Sequence, residues 1–168
     1  LITLIGDAHA EGFRDSAEKL NEKLDLFKDA KIIIFEEDDA ILKKAIHDRY
    51  DEKRLCSWGW YKSSTLFKII DIQKLKNKAD ILIEHNSTQK SFSMPFTDSA
   101  SIQNIMHCLA VLLLLDIPDE VINAGFQKLQ NIPMRLELKN GIHNSILIND
   151  TYNADLQSFK IALDFLDQ

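Results

Sequence analysis

With 168 residues, 45% of them apolar, the chain can bury a real hydrophobic core. Its formal charge of −6 excludes the basic surface that non-specific nucleic-acid binding needs, and provides no polybasic membrane patch. The longest apolar run, residues 109–115, is far short of the roughly 20 residues of a bilayer span, and the distant Cys56 and Cys108 read as reduced thiols of a cytoplasmic protein.

Residues 1–5 read as a buried strand that stops at Gly6. A helix is expected over 16–27, where Ala17, Leu20, Leu24 and Phe27 recur at helical spacing. An Ile-rich strand follows at 31–35. The run Glu36-Glu37-Asp38-Asp39 then suits the N-terminus of a helix reaching about Tyr50. Strand, helix, strand, helix predicts parallel α/β architecture. Between 55 and 93 the pattern changes to short runs at 57–61, 67–72, 79–84 and 90–92 separated by polar turns. These predict a small antiparallel section with a hairpin turn at Asn86-Ser87-Thr88-Gln89.

Ser99 or Ser101 is expected to cap a helix running to about Leu115, buried in its second half. Pro118-Asp119-Glu120 opens another. After a connector at 129–133, strands are expected at 135–138 and 145–149 around an Asn140-Gly141 turn, with 146–148 buried. An amphipathic helix over 156–166 closes the chain. The sequence starts inside a strand-like run without Met and stops in a barely finished helix, so it is expected to be a segment of a longer protein whose exposed sheet edges invite self-association.

Each candidate site residue has a bland and a functional reading. His9, near Glu11 after the first strand, is a satisfied surface histidine or a metal ligand or base at a strand's carboxyl end. Lys23, between Glu22 and Asp25, is by default solvated. Asp38 and Asp39 are by default helix caps. Asn104 and His107, three apart and so on one helix face, make interhelical hydrogen bonds or read a purine edge. Arg135 pairs with Glu137 or clamps a phosphate. Asp150, within Asn149-Asp150-Thr151-Tyr152-Asn153-Ala154-Asp155, caps the next helix or holds ribose hydroxyls. The 168 residues contain no G-x-x-x-x-G-K-[ST] phosphate loop.

In this order the pieces resemble the Mur ligase family of cytoplasmic, ATP-dependent amide-forming enzymes of peptidoglycan precursor synthesis. Ile5-Gly6-Asp7-Ala8-His9-Ala10-Glu11-Gly12-Phe13 is similar to the family's Ile-Gly-x-Ala-His-Leu-Glu-x-Phe. Lys23 stands at its carbamylated lysine, and Asp38-Asp39 ends its Asn-x-Asp-Asp. Residues 101–107 resemble its His-Asn-x-x-Asn helix, Met134-Arg135-Leu136-Glu137 its Gly-Arg-x-Glu, and residues 148–155 its Asp-Ser-Tyr-Asn-Ala-Asn. Tyr152-Asn153-Ala154 and Ala8-His9 point to the branch that adds D-alanyl-D-alanine. Residues 94–101 and 158–166 resemble the form fused to an alanine racemase. The sequence departs from the family at Leu4, at Phe35-Glu36, at His107 and at Asp155-Leu156.

The resemblance implies the later part of a central ATPase domain over 1–131, mostly parallel sheet plus a small antiparallel section. The first strand-turn-helix of a Rossmann-like C-terminal domain would occupy 132–168. It implies ATP and Mg2+ as cofactors, with PLP only in a fused racemase part. The implied substrates are a UDP-N-acetylmuramoyl-tripeptide and D-alanyl-D-alanine, and the process is cell wall biogenesis, with cell shape and division. His9 and carbamylated Lys23 would hold magnesium. Asn104 and His107 would face adenine, Arg135 a phosphate and Asp150 the ribose, with Tyr152 and Asn153 lining the nucleotide. Without a phosphate loop the segment alone is expected to be inactive. The other reading is a non-catalytic α/β scaffold derived from the ligase fold.

Overall fold

The computed structural model describes residues 1–3, 12–60, 65–130, 132–152 and 156–166. Asp15 starts the first helix: its carboxylate accepts the Glu18 N–H at 2.8 Å, and α1 runs over Ser16–Asp25. Leu20, Leu24 and the stem of Lys19 are buried, whereas Ala17, expected on the inner stripe, is exposed. At about 100° per residue it lies roughly a quarter turn away from the mean direction of the buried positions.

A five-stranded sheet follows. β1 (Ile33–Glu36) leads to α2 (Ala40–Arg49), and then come β2 (Leu55–Trp60), β3 (Phe67–Lys74), β4 (Ala79–His85) and β5 (Thr88–Met94), paired in chain order. Of the strand expected over 1–5, residues 1–3 carry no strand pairing of their own, but the Ile2 N–H donates to Ile34 O at 2.8 Å, so the chain does run beside β1.

β1, β2 and β3 are mutually parallel, and β3, β4 and β5 antiparallel. β2 therefore does not start an antiparallel section, as its turn-flanked sequence suggested. It joins the parallel side. β2 and β3 overlap from Trp58↔Phe67 to Trp60↔Ile69, so Phe67 lies two residues, about 7 Å, behind the end of β2. The β4–β5 hairpin turns on Asn86 and Ser87 alone, at φ 49° and 60°, with His85 opposite Thr88.

α3 (Ser99–Leu114) and α4 (Asp119–Phe126) cover one face of this sheet. Asp98, not a serine, caps α3 by accepting the Ser101 N–H at 2.8 Å. A charged carboxylate complements the helix dipole better than a hydroxyl. The main core lies here, among Phe67, Ile81, Ile83, Phe92, Met106 and Leu109. A second core lies on the other face, where α1 and α2 meet Ile33 and Phe35. Alternation along β1 sends Ile34 to the first core and its two neighbours to the second.

Beyond the connector, β6 (Glu137–Asn140) and β7 (Ile146–Asn149) form a two-stranded antiparallel ribbon, followed by α5 (Leu156–Leu166). The expected two-residue Asn140-Gly141 turn is in fact a five-residue link with His143 and Asn144 at φ 55° and 60°. β7 is not buried as expected either: Ile146 is 69% and Leu147 57% exposed. A hydrophobic run reads as a buried strand only if further layers cover it, and among the described residues none covers this ribbon.

Candidate functional site

Arg135 sits in a turn just before β6 rather than at a strand start, between Met134 and Leu136, which both take left-handed φ values of 63° and 44°. Hydrogen bonds hold that costly backbone. The Met134 N–H donates to Glu137 Oε2 at 3.0 Å, and the Leu136 N–H to Asp150 Oδ1 at 3.2 Å. The Tyr152 N–H returns to Met134 O at 3.2 Å. The turn is thereby laid against the end of β7, and the Arg135 guanidinium lies 4.5 Å from the Tyr152 ring centroid. Arg135, Asp150 and Tyr152 are thus brought together.

Glu137 organises this end and was missed as a site residue. Its carboxyl is held below the usual carboxylate range, first by the Met134 N–H and also by Lys139 and Asn149. Glu137 pairs with Lys139 at 3.2 Å. Among the described residues Arg135 makes no ion pair, so its charge remains available to an anion.

Lys23 lies half-buried in the last turn of α1. The end of that helix is clamped from outside. Arg54 donates to the carbonyls of Phe27 (2.8 Å), Lys28 (2.9 Å) and Ala30 (2.8 Å), and the Tyr50 hydroxyl donates to Leu24 O. His9, the expected partner of Lys23, and Asn153 lie outside the described residues. Among the described residues no three His, Cys, Asp or Glu side chains converge on a metal position. An unmodified lysine ammonium has no lone pair to offer. Lys23 would therefore have to be carbamylated to serve as a ligand.

On α3 the two adenine-side candidates have different surroundings. Asn104 is exposed, whereas His107 is 1% exposed. Trp58 Nε1–H donates to His107 Nδ1 at 3.0 Å, with the rings edge to face at 5.0 Å. Burial pushes the imidazole pKa down to about 4, so it is neutral, with its proton on Nε2. Nε2 finds no hydrogen-bond partner among the described residues. Asp39 fulfils its bland reading, capping α2 through the N–H groups of Ile41 and Leu42. Asp38 instead accepts the Trp60 N–H at 2.7 Å, tying the ends of β1 and β2.

A cleft of about 640 Å³ opens beside these strand ends, on the α3 side of the sheet. Trp58, Trp60, Ile69, Glu36, Gln103 and Ile161 of α5 are among the residues that line it. Gln103 donates to Glu36. Burial, with Asp38 and Asp39 nearby, raises the Glu36 pKa against the hydrogen bond from Gln103. Neither Glu36 nor Gln103 was a candidate site residue in the sequence, where Glu36 stood only in the acidic run before α2 and as a departure from the family pattern, and Gln103 only within the 101–107 stretch.

The fold is that of the Mur ligases: a MurF structure from Acinetobacter baumannii superposes with a TM-score of 0.79 over 98% of the chain and 36% of its own, at 22% identity. MurF ligase from Thermotoga maritima in complex with ADP gives 0.72 over 95% of the chain and 36% of its own, at 18% identity. Within that class the sequence is similar to one member, MurF. The UDP-N-acetylmuramoyl-tripeptide–D-alanyl-D-alanine ligase of Buchnera aphidicola is 24% identical over 170 residues, 99% of this chain. The chain spans 36% of that ligase's length. No protein-family model matches the chain.

Proposed function

We propose that the chain is the nucleotide-side segment of an ATP-dependent ligase that adds D-alanyl-D-alanine to a UDP-N-acetylmuramoyl-tripeptide in cytoplasmic peptidoglycan synthesis. The observation that carries this reading is the Arg135–Asp150–Tyr152 cluster at the end of β7, in a chain similar from end to end to MurF ligases. The T. maritima neighbour is a complex with ADP. Arg135, stacked on Tyr152, offers its guanidinium to a phosphate. Asp150 spends Oδ1 on Leu136 and keeps Oδ2 for ribose hydroxyls. Exposed Asn104 serves the adenine side. For His107, Trp58 occupies Nδ1, so only the Nε2–H remains for such a contact. Asn153 joins Tyr152 at the nucleotide, and His9 with carbamylated Lys23 is the proposed magnesium pair.

In the reaction, ATP converts the tripeptide carboxylate to an acyl phosphate, the amine attacks, and phosphate leaves. The segment's share is to position the nucleotide, with residues 1–131 in the central domain and 132–168 opening the C-terminal one. The fusion to a racemase, with PLP confined to that part, belongs to the same proposal, and the downstream coding sequence tests it.

Calorimetric titration with ADP tests the site. Binding is expected, weakened about tenfold or more by Arg135→Ala, which removes charge-assisted contacts. ATP turnover is expected to be absent, since the 168 residues hold no phosphate loop. The second reading, a non-catalytic scaffold, is motivated by Glu36 and His107, which depart from the family's asparagines and are engaged by Gln103 and Trp58. Absence of ADP binding would favour it.

A further inference from the structure

β5 is an outer strand of the five-stranded sheet, and among the described residues no strand lies beyond it. We infer that α4 is a strap that closes this edge, and that what it excludes is the same strand of a second copy of this chain.

Three features carry it. The first is which backbone groups face outward. His85 stands opposite Thr88 across a two-residue turn, so Thr88, Lys90, Phe92 and Met94 turn their N–H and C=O groups towards β4. The residues between them turn theirs away. Gln89, Ser91 and Ser93 therefore present an outward ladder of the kind that recruits another strand.

The second is what α4 does to that ladder. Asn123 Oδ1 accepts the Ser93 N–H at 3.1 Å, and Asn123 Nδ2 donates to Ser91 O at 3.3 Å. These are the two bonds that one residue of a parallel neighbouring strand would make opposite Phe92. Gln127 Nε2 donates to Ser93 O at 3.0 Å, and Lys90 Nζ pairs with both Asp119 oxygens at 2.7 and 2.9 Å. Asp119 and Asn123 of α4 and Gln127 at its end stand four apart, on one stripe, and all three are engaged with β5. Ile122 and Phe126, on the adjacent stripe, are buried in the main core, with Phe126 edge to face against Phe92. The core residues seat the helix, and the two amides occupy the edge.

The third is self-complementarity. Gln89, Ser91 and Ser93 are all uncharged, so their side chains do not repel a second β5. Laid antiparallel about a twofold axis at Ser91, the strand sets Ser91 against its own copy and Gln89 against Ser93, each with both backbone groups available to the other. An outward lysine is a common guard of such an edge. Here the one lysine of β5, Lys90, is held by Asp119, and Asn123 and Gln127 take the guarding place.

The test is the double variant Asn123→Ala/Gln127→Ala of the 168-residue chain. Alanine raises helix propensity at position 123 and leaves Ile122 and Phe126 in the core. Circular dichroism checks the fold. Sedimentation velocity over a concentration series is expected to show self-association about tenfold tighter than in the native chain, the worth of roughly one net hydrogen bond. Hydrogen exchange at Ser91 and Ser93 is expected to slow as the concentration of the variant rises. Adding Ser91→Pro supplies a readout that a merely structural role would not move. The Ser91 N–H points away from β4, so proline there breaks no bond within the sheet but removes a donor from the twofold pairing. The triple variant is expected to return to the association of the native chain.

Association no tighter than that of the native chain overturns the assignment. So does a gain that survives Ser91→Pro, which would put the contact elsewhere, as on the exposed Leu156 and Phe159 of α5. If the double variant does not fold, Gln127→Ala alone, at an exposed position, takes its place. A smaller gain, again abolished by Ser91→Pro, is then expected, and no gain overturns the assignment.

Discussion

Trp58 donates its indole N–H to His107 Nδ1 at 3.0 Å, across the interface between β2 and α3, with both side chains almost wholly buried. The bond fixes the histidine as the Nε2–H tautomer, and burial holds its pKa near 4 against an ordinary value of 6.5. Between those two values the unfolded chain takes up a proton that the folded chain refuses. Stability from this group is therefore complete above pH 6.5 and falls as the pH drops towards 4. At 1.36 kcal/mol per unit, about 2 kcal/mol is lost by pH 5 and about 3 by pH 4. Urea unfolding of the native chain and of His107→Gln is expected to show this: the variant is less stable at pH 7, and the gap narrows by about 2 kcal/mol at pH 5. A gap independent of pH would show that His107 does not titrate this way.

Arg54 holds three carbonyls past the end of α1 and stacks over Tyr50 at 5.0 Å from the ring centroid. These carbonyls belong to the turn that follows the helix, where among the described residues only that of Phe27 also accepts a backbone N–H, from Ala30 at 3.0 Å. Arg54→Ala is expected to cost about 2–3 kcal/mol, the range for hydrogen bonds to a charged group. Arg54→Lys should recover only part of it, because an ammonium cannot present the planar fork. Chemical denaturation of the three proteins checks both statements. Hydrogen exchange of the amides at 24–30 should accelerate in the alanine variant.

Most of the fold was legible because local chemistry decided it. The Ile-rich β1, the acidic start of α2, the apolar α3 and the Pro118 start of α4 each form where composition and spacing place them. What escaped was set by neighbours distant in sequence. The direction of β2 depends on its overlap with β3, which no local pattern encodes. The exposure of Ile146 and Leu147 depends on what covers the β6–β7 ribbon, not on how apolar they are. At the site, a motif carried Arg135, Asp150 and Tyr152, and the structure brings them together. Glu36, Gln103 and Glu137 lie within or beside stretches compared with the family, but their contacts arise only when β1 meets α3, or when the Met134–Leu136 turn folds back. His107 was legible as a residue to watch, but its engagement with Trp58 joins positions 49 apart.

The β4–β5 hairpin predicts a stabilising substitution. Asn86 and Ser87 both occupy left-handed backbone, at φ 49° and 60°. Asparagine tolerates that region and serine does so at a cost, whereas glycine enters it freely. Ser87→Gly is expected to raise stability by about 0.5–1 kcal/mol, the left-handed penalty less the added unfolded-state entropy. A higher urea midpoint with an unchanged slope is the expected result. A drop would mean that the serine side chain contributes more than its backbone costs.

The turn that presents Arg135 depends on Asp150 twice over. The carboxylate accepts the N–H of Leu136, a residue at φ 44°, and it faces the proposed ribose position. Two substitutions separate these roles. Asp150→Asn keeps an oxygen for the Leu136 N–H but removes the charge, so the turn should survive while nucleotide binding weakens. Asp150→Ala leaves that N–H without its acceptor beside a strained backbone, which costs about 1–3 kcal/mol locally and frees the turn to relax. The stacking of Arg135 on Tyr152 supplies the readout, because an aromatic ring shifts the resonances of protons held over its face. In the asparagine variant the Arg135 side-chain protons should keep that shift, and in the alanine variant they should move towards random-coil positions. ADP affinity should fall in both. A preserved ring shift in Asp150→Ala would show that the Tyr152 N–H bond to Met134 O holds the turn without help from the carboxylate.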